Sequence, residues 1–168
     1  GADGLAPWCE QLQQLVERGI RGLTSNPTIF QKAIQGSADY DEQFSALAAD
    51  EHPIIDDYWA MVLRDINGAL DVFAPVYHDS HGIDGSVSVE VDPGLAHDGD
   101  GTEAAARHLH QLIDRPNLMV KIPATEAGLP AIQRMIAEGR SINVTLIFSL
   151  DRYQDVVEAY IAGLEEYA

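Results

Sequence analysis

The residue best suited to chemistry in this sequence is Lys121, which lies in the apolar run Leu118-Met-Val-Lys-Ile-Pro-Ala124. Lysine side chains are rarely buried unless they are paired or functional. An uncharged amine can attack a carbonyl carbon and form an imine, and burial favours the uncharged form of an amine. Lys121 is therefore a candidate Schiff-base nucleophile. The alternative is a lysine at a strand end whose ammonium group reaches solvent.

The alternating segment from Gly85 to Asp92 ends with two carboxylates, Glu90 and Asp92. Glu90 and Asp92 are two residues apart, so in a strand their side chains lie on the same face. Glu90 could hold a water molecule or pass a proton while an imine forms and hydrolyses. It could equally pair with Lys121 for structural reasons alone, and both interpretations stay open.

Two further polar pairs have the same spacing of two residues. Asn143 and Thr145 could bind the hydroxyl groups of a polyol substrate or orient a water molecule, or could be ordinary polar filling of a barrel layer. Thr24 and Asn26 could bind hydroxyl groups as well. Their alternative is a helix-capping turn, because an asparagine just before a proline is a typical N-cap.

Several common kinds of site are missing from the sequence. No spacing of cysteine and histidine matches a zinc site, so no metal site is predicted. Neither a G-x-G-x-x-G motif nor a Walker-type loop is present, which argues against the common dinucleotide and nucleoside triphosphate folds.

Strands and helices alternate along the sequence, which predicts an α/β fold with a parallel sheet. Polar side chains near the carboxyl ends of several strands are typical of a (β/α)₈ barrel. The predicted strands are Ile20–Thr24, Gly85–Asp92, Asn117–Pro123 and Ser141–Phe148. The predicted helices are Leu12–Arg18, Thr28–Ile34, Ile54–Phe73, Thr102–Ile113 with Thr102 as its cap, Thr125–Glu138, and a last helix capped by Ser149. A further polar-apolar stretch runs over 37–49.

Composition excludes several classes of protein. The 168 residues are 46% apolar, which is a globular value, and they carry 10 Lys and Arg against 27 Asp and Glu, a net charge of −17. An acidic chain without a basic patch is not expected to bind nucleic acid or an anionic membrane. The sequence has no apolar run long enough to span a membrane, no signal peptide and only Cys9 as a thiol, so we expect a cytoplasmic protein.

Four segments resemble, in order, four successive strand motifs of the transaldolase family: Gly22-Leu-Thr-Ser-Asn-Pro-Thr-Ile-Phe30, Val87-Ser-Val-Glu-Val-Asp92, Val120-Lys-Ile-Pro-Ala-Thr125 and Ile142-Asn-Val-Thr-Leu-Ile-Phe148. The resemblance implies a (β/α)₈ barrel that uses no cofactor. It implies sugar phosphate substrates in the pentose phosphate pathway. A dihydroxyacetone unit would move from sedoheptulose 7-phosphate or fructose 6-phosphate to glyceraldehyde 3-phosphate or erythrose 4-phosphate.

The resemblance also implies roles for six residues. Lys121 resembles the Schiff-base lysine of the family, and Glu90 and Thr145 resemble the pair that positions the catalytic water. The side chains that resemble those around the bound dihydroxyacetone unit belong to Thr24, Asn26 and Asn143.

Two parts of the family pattern are not found. The family's first strand carries an aspartate that acts as general acid and base, but no such strand precedes Gln11, and Asp3 is not given the role. The four motifs correspond to strands two to five. Residues 1–168 are therefore expected to form a single partial barrel domain, with 1–10 as an atypical or poorly ordered N-terminal segment and the phosphate-binding residues elsewhere.

Two other functions stay open at this point. The chain could be a catalytically inactive structural half-barrel, and open sheet edges would then favour self-association. It could also be a Schiff-base aldolase that releases free dihydroxyacetone without transfer.

Overall fold

The computed structural model describes residues 7–36, 40–41, 45 and 53–168. The polar-apolar stretch over 37–49 lies mostly outside these residues. The helices are α1 (Pro7–Glu17), α2 (Pro27–Gly36), α3 (Ile54–Asp79), α4 (Gly99–Ile113), α5 (Gly128–Ala137) and α6 (Leu150–Tyr167). The strands are β1 (Leu23–Thr24), β2 (Val87–Glu90), β3 (Leu118–Pro123) and β4 (Ile142–Thr145), and a 3₁₀ turn (Pro93–Leu95) follows β2.

The four strands lie in the order β1-β2-β3-β4, with helices between them in the chain. β3 and β4 are parallel, and Lys121 is paired with Asn143 while Pro123 is paired with Thr145. This arrangement confirms the predicted α/β class and is that of an incomplete (β/α)₈ barrel. It brings the carboxyl ends of neighbouring strands to one edge of the sheet, where barrel enzymes place their sites.

The chain divides into two compact units, Gly1–Val87 and Ser88–Ala168. In the first unit, α1 packs on α3 at Gly68, where an added Cβ would lie only 3.1 Å from Cys9 Sγ. The Leu23 amide of β1 donates to the Ser86 carbonyl, 3.0 Å away. The most buried apolar side chains here are those of Met61, Val62, Ile66, Ala69, Leu70 and Phe73.

In the second unit, one face of the sheet is apolar and packs under helices. Val120 and Ile122 of β3 are fully buried, and β3 contacts both α4 and α5. α6 approaches α5 closely at Gly163, where an added Cβ would lie 2.6 Å from the Gln133 carbonyl oxygen. Because side chains alternate along a strand, Lys121 is on the face opposite Val120 and Ile122.

The predicted cap of α4 is wrong. The helix begins at Gly99, three residues before Thr102, and its N-cap is Asp98, whose carboxylate accepts a hydrogen bond from the Gly101 amide. The Thr102 hydroxyl instead donates to the Leu95 carbonyl, 2.8 Å away. Glycine is a poor helix former, but the Asp98 carboxylate caps the first turn and the helix therefore begins at Gly99.

Other elements differ from the prediction at their ends. β4 ends at Thr145 because Leu146 has a left-handed backbone with φ of 61°. α5 begins at Gly128 instead of Thr125, since the Thr125 hydroxyl donates to the Ala96 carbonyl and accepts from the Gly128 amide. α3 continues past Phe73. Of the N-terminal segment 1–10, residues 7–10 are helical in α1, and residues 1–6 lie outside the described part of the chain.

Candidate active site

The centre of the candidate site is an ion pair between β2 and β3. Lys121 Nζ lies 3.1 Å from Glu90 Oε2. Lys121 is only 9% exposed, and its neighbours Val120 and Ile122 are fully buried. The ammonium group therefore lies against a carboxylate at a largely buried position of the sheet. A proton can pass directly between two groups at this distance.

Only one of the two alternating carboxylates belongs to this pair. The Val91 amide donates to the Lys121 carbonyl at 3.3 Å, which sets Glu90 beside Lys121 in the register of the two strands. Asp92 is exposed, and its carboxylate accepts a hydrogen bond from the Gly94 amide at 2.7 Å, which caps the 3₁₀ turn. The two carboxylates thus have different roles. Glu90 lies beside the Lys121 amine, whereas Asp92 caps a turn of its own segment.

Asn143 lies next to Lys121 on the neighbouring strand, because the two residues are partners in the β3–β4 pairing. Its Nδ2 atom donates a hydrogen bond to Ser88 Oγ of β2 at 3.1 Å. Since β3 lies between β2 and β4, this hydrogen bond passes over the strand that carries Lys121. The polar face of the sheet is therefore connected across three strands.

Thr145 has a buried hydroxyl group that has no hydrogen-bond partner among the described residues. It lies two residues after Asn143 on the same strand, so the two side chains share a face. Among the residues that the structure describes, nothing forms a hydrogen bond with Thr145 Oγ1, although this atom is buried. An unsatisfied buried hydroxyl typically costs about 1–3 kcal/mol. The group is consequently suited to hold a water molecule or a substrate oxygen.

The Ser88–Asn143 contact also indicates how Glu90 and Thr145 are arranged. In barrels, side chains from alternate strands form layers across the strand between them. Ser88 and Asn143 form one such contact, and Glu90 and Thr145 each follow two residues later on the same face of the same strands. We therefore expect Glu90 and Thr145 to face each other in the next layer, with Lys121 on the strand between them.

Thr24 and Asn26 belong to the first compact unit, at the carboxyl end of β1. Thr24 is exposed. Asn26 Oδ1 accepts a hydrogen bond from the Ile29 amide at 2.9 Å, so its side chain caps α2, as one of the two interpretations of the sequence predicts. That these two residues share a site with Lys121 stays a prediction.

Sequence reasoning missed Ser88, which is 4% exposed and contacts Asn143. The signal was present, since Ser88 lies two residues before Glu90 in the alternating segment and therefore on the same face. Serine is common at positions of many kinds, and only the long-range contact to β4 distinguishes this one.

The described residues also limit other kinds of site. Nowhere in the ranges given above do three or more His, Cys, Asp or Glu side chains form a group that could hold a metal ion. In the same part of the chain, none of the helices combines the length and apolar character needed to cross a lipid bilayer.

Comparisons with known proteins identify the family of this chain. A family model described as "Transaldolase/Fructose-6-phosphate aldolase" matches residues 8–168, which include every residue of the candidate site. A transaldolase of Saccharopolyspora erythraea is 57% identical over 147 residues, covering 88% of this chain and 40% of that protein. Transaldolases of Kocuria rhizophila and a Parafrankia species are 50% and 47% identical, covering 92% and 98% of this chain and 42% and 48% of theirs.

The chain thus spans less than half the length of these curated relatives. Because the family model matches nearly the whole sequence and several relatives exceed 45% identity, the chain belongs to the transaldolase/fructose-6-phosphate aldolase family.

Proposed function

We propose that this chain carries the Schiff-base centre of a transaldolase. The enzyme would transfer a dihydroxyacetone unit from a ketose phosphate, sedoheptulose 7-phosphate or fructose 6-phosphate, to glyceraldehyde 3-phosphate or erythrose 4-phosphate. The observation that carries the proposal is the buried Lys121–Glu90 pair at 3.1 Å, next to the polar side chains of β4. The curated relatives named transaldolase support the same reaction.

The first step needs an uncharged amine. Glu90 takes a proton from the Lys121 ammonium group, and the Nζ atom attacks C2 of the ketose to form a C–N bond. The nitrogen, which carries a positive charge after the attack, gives up a proton, and the C2 oxygen takes up a proton in its place and becomes a hydroxyl group. Glu90 then returns a proton to this hydroxyl, which leaves as water, and a protonated imine remains. One carboxylate within hydrogen-bonding distance of the amine is sufficient for both transfers.

The protonated imine then acts as an electron sink. The C4 hydroxyl loses its proton, the C3–C4 bond breaks, and the released aldose phosphate leaves while the electron pair moves into the imine. The enamine that remains attacks the carbonyl carbon of the acceptor aldehyde and forms the new C–C bond, and the base that took the C4 hydroxyl proton returns a proton to the aldehyde oxygen. The base that takes the C4 hydroxyl proton is not assigned to a residue of this chain.

The last step is hydrolysis, and it needs a positioned water molecule. We propose that the Glu90 carboxylate and the Thr145 hydroxyl hold this water, which adds to the imine carbon and releases the product ketose from Lys121. The buried Thr145 Oγ1 atom, which has no partner in the part of the chain that the structure describes, supports this role. We further propose that Thr24, Asn26 and Asn143 hydrogen-bond the hydroxyl groups of the dihydroxyacetone unit.

We also propose a cytoplasmic location, which suits sugar phosphate substrates and a chain whose one cysteine, Cys9, is buried. Self-association through a sheet edge stays a prediction.

A product assay tests the proposed reaction. The full-length protein containing these residues is incubated with fructose 6-phosphate and erythrose 4-phosphate, and the products are separated and counted. We expect sedoheptulose 7-phosphate and glyceraldehyde 3-phosphate in equal amounts. Release of free dihydroxyacetone in place of sedoheptulose 7-phosphate would show a simple aldolase. Absence of both products would contradict an enzymatic role.

A further inference from the structure

Ser88 is a buried polar residue that the proposed reaction does not use. It is 4% exposed, lies on β2 two residues before Glu90, and accepts a hydrogen bond from Asn143 Nδ2 at 3.1 Å. Neighbouring strands are about 5 Å apart, so β2 and β4 are separated by about 10 Å with β3 between them. The side chains of Ser88 and Asn143 bridge this distance over the polar face of the sheet. Their contact lies beside Lys121, the register partner of Asn143.

The contact has a chemical consequence for Asn143. An asparagine amide can turn about its last torsion, which exchanges its acceptor oxygen with its donor nitrogen. Because Nδ2 donates to Ser88, that half of the amide is held towards β2, and Oδ1 is turned away from Ser88. In this orientation Asn143 offers its Oδ1 atom as a hydrogen-bond acceptor to a hydroxyl group.

We infer that Ser88 is a positioning residue that sets the specificity of this site for hydroxylated ketoses. It acts through Asn143, whose Oδ1 atom accepts a hydrogen bond from a hydroxyl group adjacent to the imine carbon. This inference rests on the proposed function, because it presumes a ketose bound at Lys121. A site that pairs with a substrate hydroxyl discriminates against the analogue without it, since the site's own polar group is then left unpaired.

Substrate analogues provide the test. In the full-length protein, kcat/KM is measured for fructose 6-phosphate and for its 1-deoxy and 3-deoxy analogues, with wild type and Ser88→Ala. We expect Ser88→Ala to lower kcat/KM for the complete ketose by about tenfold, because one positioned hydrogen bond is weakened. For one of the two deoxy analogues, kcat/KM should change less than twofold, because the hydroxyl that Asn143 binds is already missing.

Three further variants separate positioning from a general structural effect. Ser88→Thr keeps the hydroxyl group and should restore most of the preference for the complete ketose. Ser88→Ala added to Asn143→Ala should cause no further loss, because the two residues act through one contact. Val89→Ala, on the opposite and buried face of β2, should lower thermal stability and leave the substrate preference unchanged.

An equal loss of kcat/KM for the complete and both deoxy ketoses in Ser88→Ala would overturn the inference, and so would no loss at all. Additive effects of Ser88→Ala and Asn143→Ala would overturn it as well. Trapping of the imine at Lys121 is measured in parallel, because it reports the proposed function by itself. A wild type that traps no imine would overturn the proposed function and this inference together, whereas normal trapping with an unchanged preference would overturn the inference alone.

Discussion

Lys121 Nζ and Glu90 Oε2 are 3.1 Å apart, although the two residues are separated by 31 positions in the sequence. The parallel register of β2 and β3 produces this distance, and the fully buried side chains of Val120 and Ile122 fix the face on which Lys121 lies. An amine and a carboxylate at hydrogen-bonding distance can exchange a proton without a mediating water. The pair therefore contains both groups that imine formation requires.

Glu90→Gln should lower kcat strongly while the fold is kept. The amide is nearly the same size as the carboxylate, but it cannot take a proton from Lys121 or return one to the leaving hydroxyl. Loss of a general acid and base typically costs about 10²–10⁴ in rate, and we expect an effect of this size. Steady-state kinetics of the transfer reaction measure it, with circular dichroism to verify folding.

Asp92→Asn is the matched control for this variant. Asp92 lies two residues further along, is exposed, and uses its carboxylate to cap the Gly94 amide. An asparagine can form the same capping hydrogen bond, so kcat should stay within about twofold of wild type. If Asp92→Asn were as slow as Glu90→Gln, the assignment of Glu90 as the specific proton carrier would be wrong.

Thr145→Val should separate activity from stability. Valine has nearly the same shape and removes a buried hydroxyl that has no partner among the described residues, so the free energy of unfolding should not fall and could rise by about 1 kcal/mol. Hydrolysis of the imine should slow at least tenfold, because the water molecule loses one of its two proposed contacts. Urea unfolding and single-turnover kinetics measure the two effects.

Thr145→Ser supplies the control, since it keeps the hydroxyl group and should retain most of the activity. A wild-type rate of hydrolysis in Thr145→Val would mean that the hydroxyl does not hold the water.

Because of His110, we expect the free energy of unfolding to fall at acidic pH. This residue is 5% exposed, and burial, reinforced by the nearby Arg140, lowers its pKa below the ordinary value of 6.5 in spite of a hydrogen bond with the Ser141 backbone and the charge of Glu138. The unfolded chain then binds a proton at a higher pH than the folded chain. Stability should therefore fall as the pH decreases from 6.5 towards the lower pKa of the folded state.

Comparison of wild type with His110→Gln isolates this contribution, because the carboxylates titrate alike in both. Thermal midpoints at pH 7.5 and pH 5.5 should differ more in the wild type than in His110→Gln. The same pH dependence in both proteins would show that His110 contributes nothing to acid sensitivity.

Asp114→Gly should stabilise the protein. Asp114 follows α4 with a left-handed φ of 44°, is exposed, and places a negative charge at the carboxyl end of the helix. Glycine adopts this backbone conformation without strain, and removal of the charge relieves repulsion from the helix dipole. The expected gain is about 1 kcal/mol in the free energy of unfolding, measured with urea. Asp114→Asn removes only the charge and should give a smaller gain, so a loss in both variants would refute the argument.

The sequence predicted the elements of this fold better than their ends. Alternation in Gly85–Asp92 indicated β2 and the face of Glu90, and the apolar run around Lys121 indicated β3. Ends are determined by single backbone or side-chain contacts that a periodic pattern does not contain. The left-handed conformation of Leu146 ends β4, and the carboxylate of Asp98 starts α4 before the predicted Thr102.

The candidate site was predicted in part for a similar physical reason. Strand spacing was enough to indicate the faces of Glu90, Lys121 and Asn143, because side chains alternate regularly. The partner of Asn143 depends on the register of three strands, which the spacing along one strand does not determine. Ser88 was not predicted for this reason, because its contact with Asn143 exists only in the folded structure.

Reductive trapping of the imine tests the central claim most directly. The full-length protein is treated with fructose 6-phosphate and borohydride, and its peptides are analysed by mass spectrometry. This sequence has only two lysines, so exposed Lys32 serves as an internal control for reaction at a surface amine. We predict one reduced dihydroxyacetone unit on Lys121, none on Lys32, full labelling of Lys32→Ala and none of Lys121→Ala. Labelling of the Lys121→Ala variant at the wild-type level would contradict the account.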